Sequence, residues 1–304
     1  MNDIPRSLLG IEPLSSQQVL HFLNLAKKMD PTKPSNTLRG RRVALLFYEN
    51  STRTRVSFEI AAKALSASVV VINATSTSIQ KGESLKDTGL TLRSIVDAIV
   101  VRHPSSGAPH FLTRILDIPI INAGDGMHEH PSQALLDAFT ILDHKKSLKG
   151  LKIVTVGDIF HCRVARSDAN LFSKLGADVV LCGPEVLLPD VAAQLAPGIR
   201  IERDMETAIK GADVVMMLRV QQERLAGLQL NLDEYIRRYQ LNLSRLKLAK
   251  KDAIVMHPGP IIRGLEMTDE VADCPQSVVL EQVLNGVKIR MAILDSLLGK
   301  RRKV

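Results

Sequence analysis

The sequence predicts an α/β protein made of two doubly wound parallel-sheet domains. Three observations carry that expectation. Short apolar runs recur along all 304 residues with helical segments between them, the alternation that gives parallel sheets covered by helices. These runs are rich in Val, Ile and Leu and do not alternate with polar residues, as strands buried on both faces require. The length suits roughly two domains, and a polar, glycine-ended segment from Asp143 to Gly150 falls near the middle.

Taken in order, residues 7–28 read as a helical segment with Ser15-Ser16 as its cap, its apolar face formed by Val19, Leu20, Phe22, Leu23, Leu25 and Ala26. Strands are expected near 43–47, 68–72, 98–101, 118–121, 152–156, 178–182, 213–217 and 253–256. Helices are expected near 54–65, 85–96, 131–143, 163–175, 204–210, 232–239 and 277–298. No strand follows the last helix, so it is expected to cross back onto the first half. That gives domains at 1–145, joined by the C-terminal helix from about 286 to 304, and at 146–285.

An apolar fraction of 45% supports a globular core, and no window is apolar enough for a membrane span. The first residues, Met1 to Arg6, carry an acid and a proline and lack the apolar stretch of a signal peptide. Three cysteines (Cys162, Cys182, Cys274) without CxxC spacing fit a reducing cytoplasm and argue against a disulfide framework or a zinc site. A net charge of +8 favours anionic partners. With 3% aromatics and no Trp, a base-stacking nucleic-acid platform is not expected.

The segment Glu49-Asn50-Ser51-Thr52-Arg53-Thr54-Arg55 sits where a strand ends and a helix begins. Such a junction offers unpaired amides and the positive end of a helix dipole to an anion. Ser51, Thr52 and Thr54 add hydroxyls, and Arg53 a planar fork that matches phosphate geometry. Alone, the cluster also fits an N-cap followed by surface arginines. Further polar groups follow other strands: Arg102-His103-Pro104, Gly124-Asp125-Gly126, His128 to Gln133, Gly157-Asp158 with Arg163, Arg219-Val220-Gln221 and His257-Pro258-Gly259-Pro260. Ligands of open α/β sheets bind beyond the strands' carboxyl ends, so the recurrence marks a site. His130 and Gln133, beside Pro131 at a helix start, can address a small ligand carrying a carbonyl and an amine. His128-Glu129-His130 lacks the HExxH spacing of a zinc helix, so no metal is expected. Gly157-Asp158 hints at a dinucleotide fold, yet GxGxxG is missing, so no NAD or other cofactor is expected. The polar loop from Thr75 to Ser84 carries Ser78 and Lys81; it reads either as a connector or as a segment that closes over a charged ligand.

Together, Ser51 to Arg55, Val101 to Pro104, His130-Pro131-Ser132-Gln133 and Arg163 resemble the carbamoyl-phosphate transferases, over essentially the whole chain. Arg219-Val220-Gln221 and His257 to Pro260 resemble the aspartate branch of that family rather than the ornithine branch. The resemblance implies transfer of a carbamoyl group from carbamoyl phosphate to L-aspartate, in pyrimidine biosynthesis, with the active site in the cleft between the two domains. It implies that Ser51, Thr52, Arg53, Thr54 and Arg102 hold the phosphate. Thr54, Arg102 and His130 would address the carbonyl oxygen, and Gln133 with Gly259 and Pro260 the amide. Arg163, Arg219 and Gln221 would hold aspartate. It further implies a homotrimer in which Ser78 and Lys81 reach a neighbouring site, Lys81 touching both substrates, and it leaves room for a regulatory-chain or dihydroorotase partner.

Cys162, Val164 and Ile262 depart from the usual family pattern, and none of the arginines is affected. The readings that compete are an ornithine or other amino-acid carbamoyltransferase and a nucleotide- or nucleic-acid-binding regulatory protein. Arg163 and Arg219 count against ornithine, whose own ammonium calls for a less cationic pocket.

Overall fold

The computed structural model describes residues 4–73, 82–221 and 230–299. By contacts the chain divides into two units, one running up to Leu136 and resuming at Val283, the other Asp137–Gln282. Each unit holds one parallel sheet with helices interleaved in sequence, so the α/β expectation is met. Among the described residues no helix is long and apolar enough to cross a membrane.

The chain enters the first unit through α1 (Ser16–Ala26), which begins at a capping box between Ser15 and Gln18. The expected helical segment from residue 7 is therefore shortened. Residues before the box do other work: the Leu8 amide donates to the Ile120 carbonyl at 3.0 Å, and the Asn122 amide donates to Leu8 at 2.8 Å. Then come β1 (Arg42–Phe47), α2 (Thr52–Ala64), β2 (Ser68–Asn73), α3 (Leu85–Arg93), β3 (Ala98–His103), α4 (Ala108–Ile115), β4 (Ile120–Asp125) and α5 (Pro131–Lys145). The sheet order is β2-β1-β3-β4. Its central strands are buried on both faces, with Ala44, Leu46, Ile99 and Val101 packed against Leu92, Leu112 and Leu116.

Two features of this unit escaped the sequence reading. Helix α4, where no helix is expected, is only eight residues long; Gly107 supplies its left-handed cap, and Pro109 is tolerated in the first turn. Strand β4 begins later than expected and runs on to Asp125, so Gly124-Asp125 lies inside the strand rather than beyond it.

The second unit contains β5 (Lys152–Val156), α6 (Arg163–Lys174), β6 (Asp178–Cys182), a 3-10 turn at Asp190–Gln194, β7 (Arg200–Glu202), α7 (Met205–Ile209), β8 (Val214–Met217), α8 (Leu232–Tyr239), α9 (Leu243–Leu246), β9 (Ile254–Met256) and α10 (Asp269–Ala272). Its sheet order is β7-β6-β5-β8-β9. The three-residue edge strand β7 was too short to register as an apolar run. Val154, Val156, Val215 and Met217 pack against Tyr235 and Tyr239 of α8.

The last helix, α11 (Val279–Leu298), carries the chain back to the first unit. There Arg290 donates to the Ser57 hydroxyl at 2.8 Å, and its guanidinium lies 5.1 Å from the Phe58 ring centre.

Candidate active site

Both sheets have a switch point, where the chain leaves one neighbour of a central strand and returns on the other side. In the first unit it lies between β1 and β3; in the second, between β5 and β8. The predicted site residues that lie among the described residues fall beside these two points or on the segment that follows β9.

At the first switch point β1 ends in Phe47, in register with Arg102 of β3. The Tyr48 amide donates to the Arg102 carbonyl at 2.9 Å, extending the pairing one residue past β1. Helix α2 then starts after Ser51, whose side chain makes no capping bond with the first-turn amides. Arg53 and Thr52 are exposed there, and Thr54 is buried. The Thr54 hydroxyl stands 3.5 Å from Nε2 of His130, at the outer limit of a hydrogen bond. His130 itself directly precedes Pro131 of α5, and its carbonyl accepts the Gln133 amide at 2.9 Å. Thr54, His130 and Gln133 are all nine-tenths or more buried.

Arg102 is oriented by two groups. Its Nε lies 3.2 Å from a Glu49 carboxylate oxygen, and an Nη donates to the Ala123 carbonyl at 3.4 Å. In the sequence Glu49 reads only as the start of the motif; the fold makes it the arginine's partner. Burial lowers the pKa of neighbouring His103, and its Nδ1 accepts the Ser105 amide at 3.0 Å.

His128 and Glu129 take up structural bonds. Glu129 accepts the amides of Ile11 at 2.8 Å and Glu12 at 3.1 Å, which ties down the N-terminal segment. His110, Asp125 and His128 offer ligand-type atoms within 4.8 Å of one another. The Asp125 oxygens, however, already accept from Gly107 N, Asn122 Nδ2, Glu129 N and His128 Nδ1 at 2.7–3.1 Å. That carboxylate serves as a local anchor.

At the second switch point Gly157 follows β5 with φ +128°, and a Cβ there would lie 3.0 Å from the Leu218 carbonyl and 3.1 Å from the Tyr235 hydroxyl. Only glycine fits so close a strand crossing. Asp158, fully buried, accepts the Gln221 amide at 3.2 Å and the His161 amide at 3.1 Å. The Gln221 side chain in turn donates to the His161 carbonyl at 3.0 Å. Arg163, buried, opens α6, and Arg219 lies half-buried beyond β8.

Glu266, which belongs to none of the sequence motifs, joins these pieces. One of its oxygens accepts the Val220 amide at 3.1 Å, the other the Ile262 amide at 2.7 Å. It thus links the residue after Arg219 to the segment after Pro260. Burial pushes its carboxyl up to about 7, although the two amides and the charge of Arg219 pull the other way. His257 is also buried; its Nδ1 accepts the Gly259 amide at 2.8 Å, and the following Gly259–Pro260 peptide is cis.

The departures from the family pattern have plain local roles. Ile262 supplies the amide held by Glu266 and packs its side chain on the core of the second unit. Val164 is buried, and burial pushes the Cys162 thiol up to about 11, so it carries no thiolate at neutral pH. Ser78 and Lys81 lie outside the described residues.

Residues 6–143 match the family described as aspartate/ornithine carbamoyltransferase, carbamoyl-P binding domain, and residues 149–297 match its Asp/Orn binding domain. The chain is 62% identical over 297 residues to the aspartate carbamoyltransferase catalytic subunit of Koribacter versatilis, covering 97% of this chain and 98% of that protein. It is 55% identical to the corresponding subunit of Solibacter usitatus, covering 97% of this chain and 100% of that one. Among solved structures it resembles Trypanosoma cruzi aspartate transcarbamoylase in complex with N-(phosphonacetyl)-L-aspartic acid, with TM-score 0.88, 32% identity and 96% of each chain covered. It also resembles ornithine carbamoyltransferase from Pyrococcus furiosus, with TM-score 0.87, 33% identity and 98% and 99% covered.

Proposed function

The chain belongs to the aspartate/ornithine carbamoyltransferase family, and from that premise we propose that it transfers the carbamoyl group of carbamoyl phosphate to the amine of L-aspartate, giving N-carbamoyl-L-aspartate and phosphate. The fold does not choose the acceptor, since aspartate and ornithine enzymes resemble it equally. The choice of aspartate rests on relatives at 55–62% identity and on two arginines, Arg163 and Arg219, set around the second switch point. An acceptor with two carboxylates needs that charge, and one with a side-chain ammonium is repelled by it.

The observation that carries the chemical reading is the first switch point: an uncapped helix start and an exposed Arg53, beside a buried Thr54–His130 pair and an oriented Arg102. In this reading the α2 amides, Ser51, Thr52, Arg53 and Thr54 bind the phosphate. Thr54, Arg102 and His130 face the carbonyl oxygen, while Gln133, Gly259 and Pro260 face the amide. The aspartate amine attacks the carbamoyl carbon, a bond forms from nitrogen to carbon, and the carbon–oxygen bond to phosphate breaks. Negative charge that develops on the carbonyl oxygen is met by donors already in place. The departing phosphate takes the proton that the amine loses, so no separate base is required.

Arg163, Arg219 and Gln221 are assigned to aspartate. Carbamoyl phosphate and aspartate each bring about two negative charges, and every opposite charge at ~4 Å offsets on the order of 4 kcal/mol of their repulsion at an effective dielectric near 20, before desolvation. Arg53, Arg102, Arg163, Arg219 and Lys81 supply the cations. The proposal extends to a homotrimer in which Ser78 and Lys81 serve a neighbouring site, to the cytoplasm, and to the de novo pyrimidine route that consumes N-carbamoyl-L-aspartate.

A phosphate-release assay with carbamoyl phosphate plus either L-aspartate or L-ornithine tests the reading. Release with aspartate and only background with ornithine is expected. The reverse result would assign the chain to the other branch.

A further inference from the structure

Four buried polar groups of the second unit form a line that the carbamoyl-transfer reading does not use. Asp168 on α6 and Asp137 on α5 are both fully buried. Asp137 accepts Nε2 of Gln282 at 2.7 Å, and Oε1 of the same amide accepts the His257 backbone N–H at 3.0 Å. His257 then receives the Gly259 amide on Nδ1 at 2.8 Å. Asp137 and Gln282 are the first and last residues of the second unit, so the line fastens both ends of its chain to the segment that leads to Pro260.

We propose that Asp168 is a positioning residue for carbamoyl transfer, acting through Asp137 and Gln282 on His257 and the Gly259–Pro260 segment. Its own environment gives the direction of the bonds. No N–H or O–H donor among the described residues reaches either Asp168 oxygen, so a buried anion there would go uncompensated. A neutral acid needs only an acceptor, and Asp137 is one. Burial, and next the charge of Asp137 with a hydrogen bond to it, hold the Asp168 carboxyl well above the ordinary carboxylate range. A protonated Asp168 donates to Asp137, which stays an acceptor for the Gln282 amide. That amide must then turn its oxygen to His257. The far end agrees with this orientation, because the His257 backbone N–H can only donate and so takes the amide oxygen.

The inference rests on the proposed role of Gly259 and Pro260, so its test includes a readout independent of activity. Asp168→Asn keeps a neutral donor of the same shape, and Asp168→Leu keeps the shape without the donor. Relative to Asp168→Asn, Asp168→Leu should lower kcat/KM for carbamoyl phosphate by about tenfold, with the aspartate KM unchanged. By hydrogen exchange, the amides of His257 and Gly259 should open about tenfold faster in Asp168→Leu, while those of Ile153 and Val154 in β5 keep their protection. Gln282→Met removes the next link and should release the same two amides, a second route should Asp168→Leu fail to fold. Equal exchange at His257 in the Asn and Leu variants, or an Asn variant as impaired as the Leu variant, would overturn the proposal. If the wild-type chain shows no carbamoyl transfer, the functional reading fails, and the exchange comparison still decides whether the relay exists.

Discussion

The two switch points are built in opposite ways. In the first unit the chemistry is assigned to neighbours in sequence: Ser51, Thr52, Arg53 and Thr54 lie on one strand-to-helix turn, where Ser51 makes no side-chain cap. In the second unit no short stretch suffices. Asp158 and Arg163 follow β5, Gln221 follows β8, and His257 and Glu266 follow β9; these three segments are joined by buried carboxylates that accept backbone amides. The first site is a local property of a helix start. The second is a tertiary property, held by charges whose burial must be compensated group by group.

If that contrast is right, the largest loss should come from the first unit. His130→Ala removes a proposed oxyanion donor and should lower kcat about 10²–10³-fold with little change in aspartate KM, read by steady-state kinetics. Near-normal kcat would remove His130 from the reaction. A smaller effect is expected at Arg219→Ala, which should raise the aspartate KM roughly ten- to a hundredfold, the usual cost of a lost charged hydrogen bond. Unchanged aspartate saturation would refute the assignment.

The buried linkage itself should show in stability. Glu266, pushed up to about 7, keeps its proton in the folded chain between about pH 4.5 and 7, whereas the unfolded carboxyl has its ordinary value and loses it. The folded state binds more protons in that window, so stability falls as pH rises through it. Glu266→Gln should therefore gain in Tm relative to wild type from about pH 4.5 to 7, with a constant difference outside the window. Parallel Tm curves would show that Glu266 does not titrate there. The smallest effect belongs to a fully exposed pair. Arg93 and Asp117 meet at 2.5 Å and hold the Asp117 carboxyl down to about 2, yet Asp117→Asn should move Tm by no more than about a degree, since water screens such pairs.

The same contrast explains what could be read from the sequence. Apolar Val and Ile runs gave both sheets, because a strand buried on both faces leaves a continuous signal. The turn after Phe47 is legible because the residues assigned to it are consecutive. Glu49, Glu266, Asp137 and Asp168 were not visible in their roles. A buried carboxylate is defined by what folds over it, and the amides of Val220 and Ile262 reach Glu266 from positions 46 and 4 residues away. Helix α4 and strand β7 were missed because eight and three residues are too few to set a period.

Division of labour between the two units is the claim on which the rest depends, and equilibrium binding of carbamoyl phosphate alone tests it most directly. Titration calorimetry on Arg53→Ala should show carbamoyl phosphate affinity lost by at least about tenfold, while Arg219→Ala binds it as the wild type does. An Arg219→Ala chain that loses carbamoyl phosphate as badly as Arg53→Ala would contradict the account.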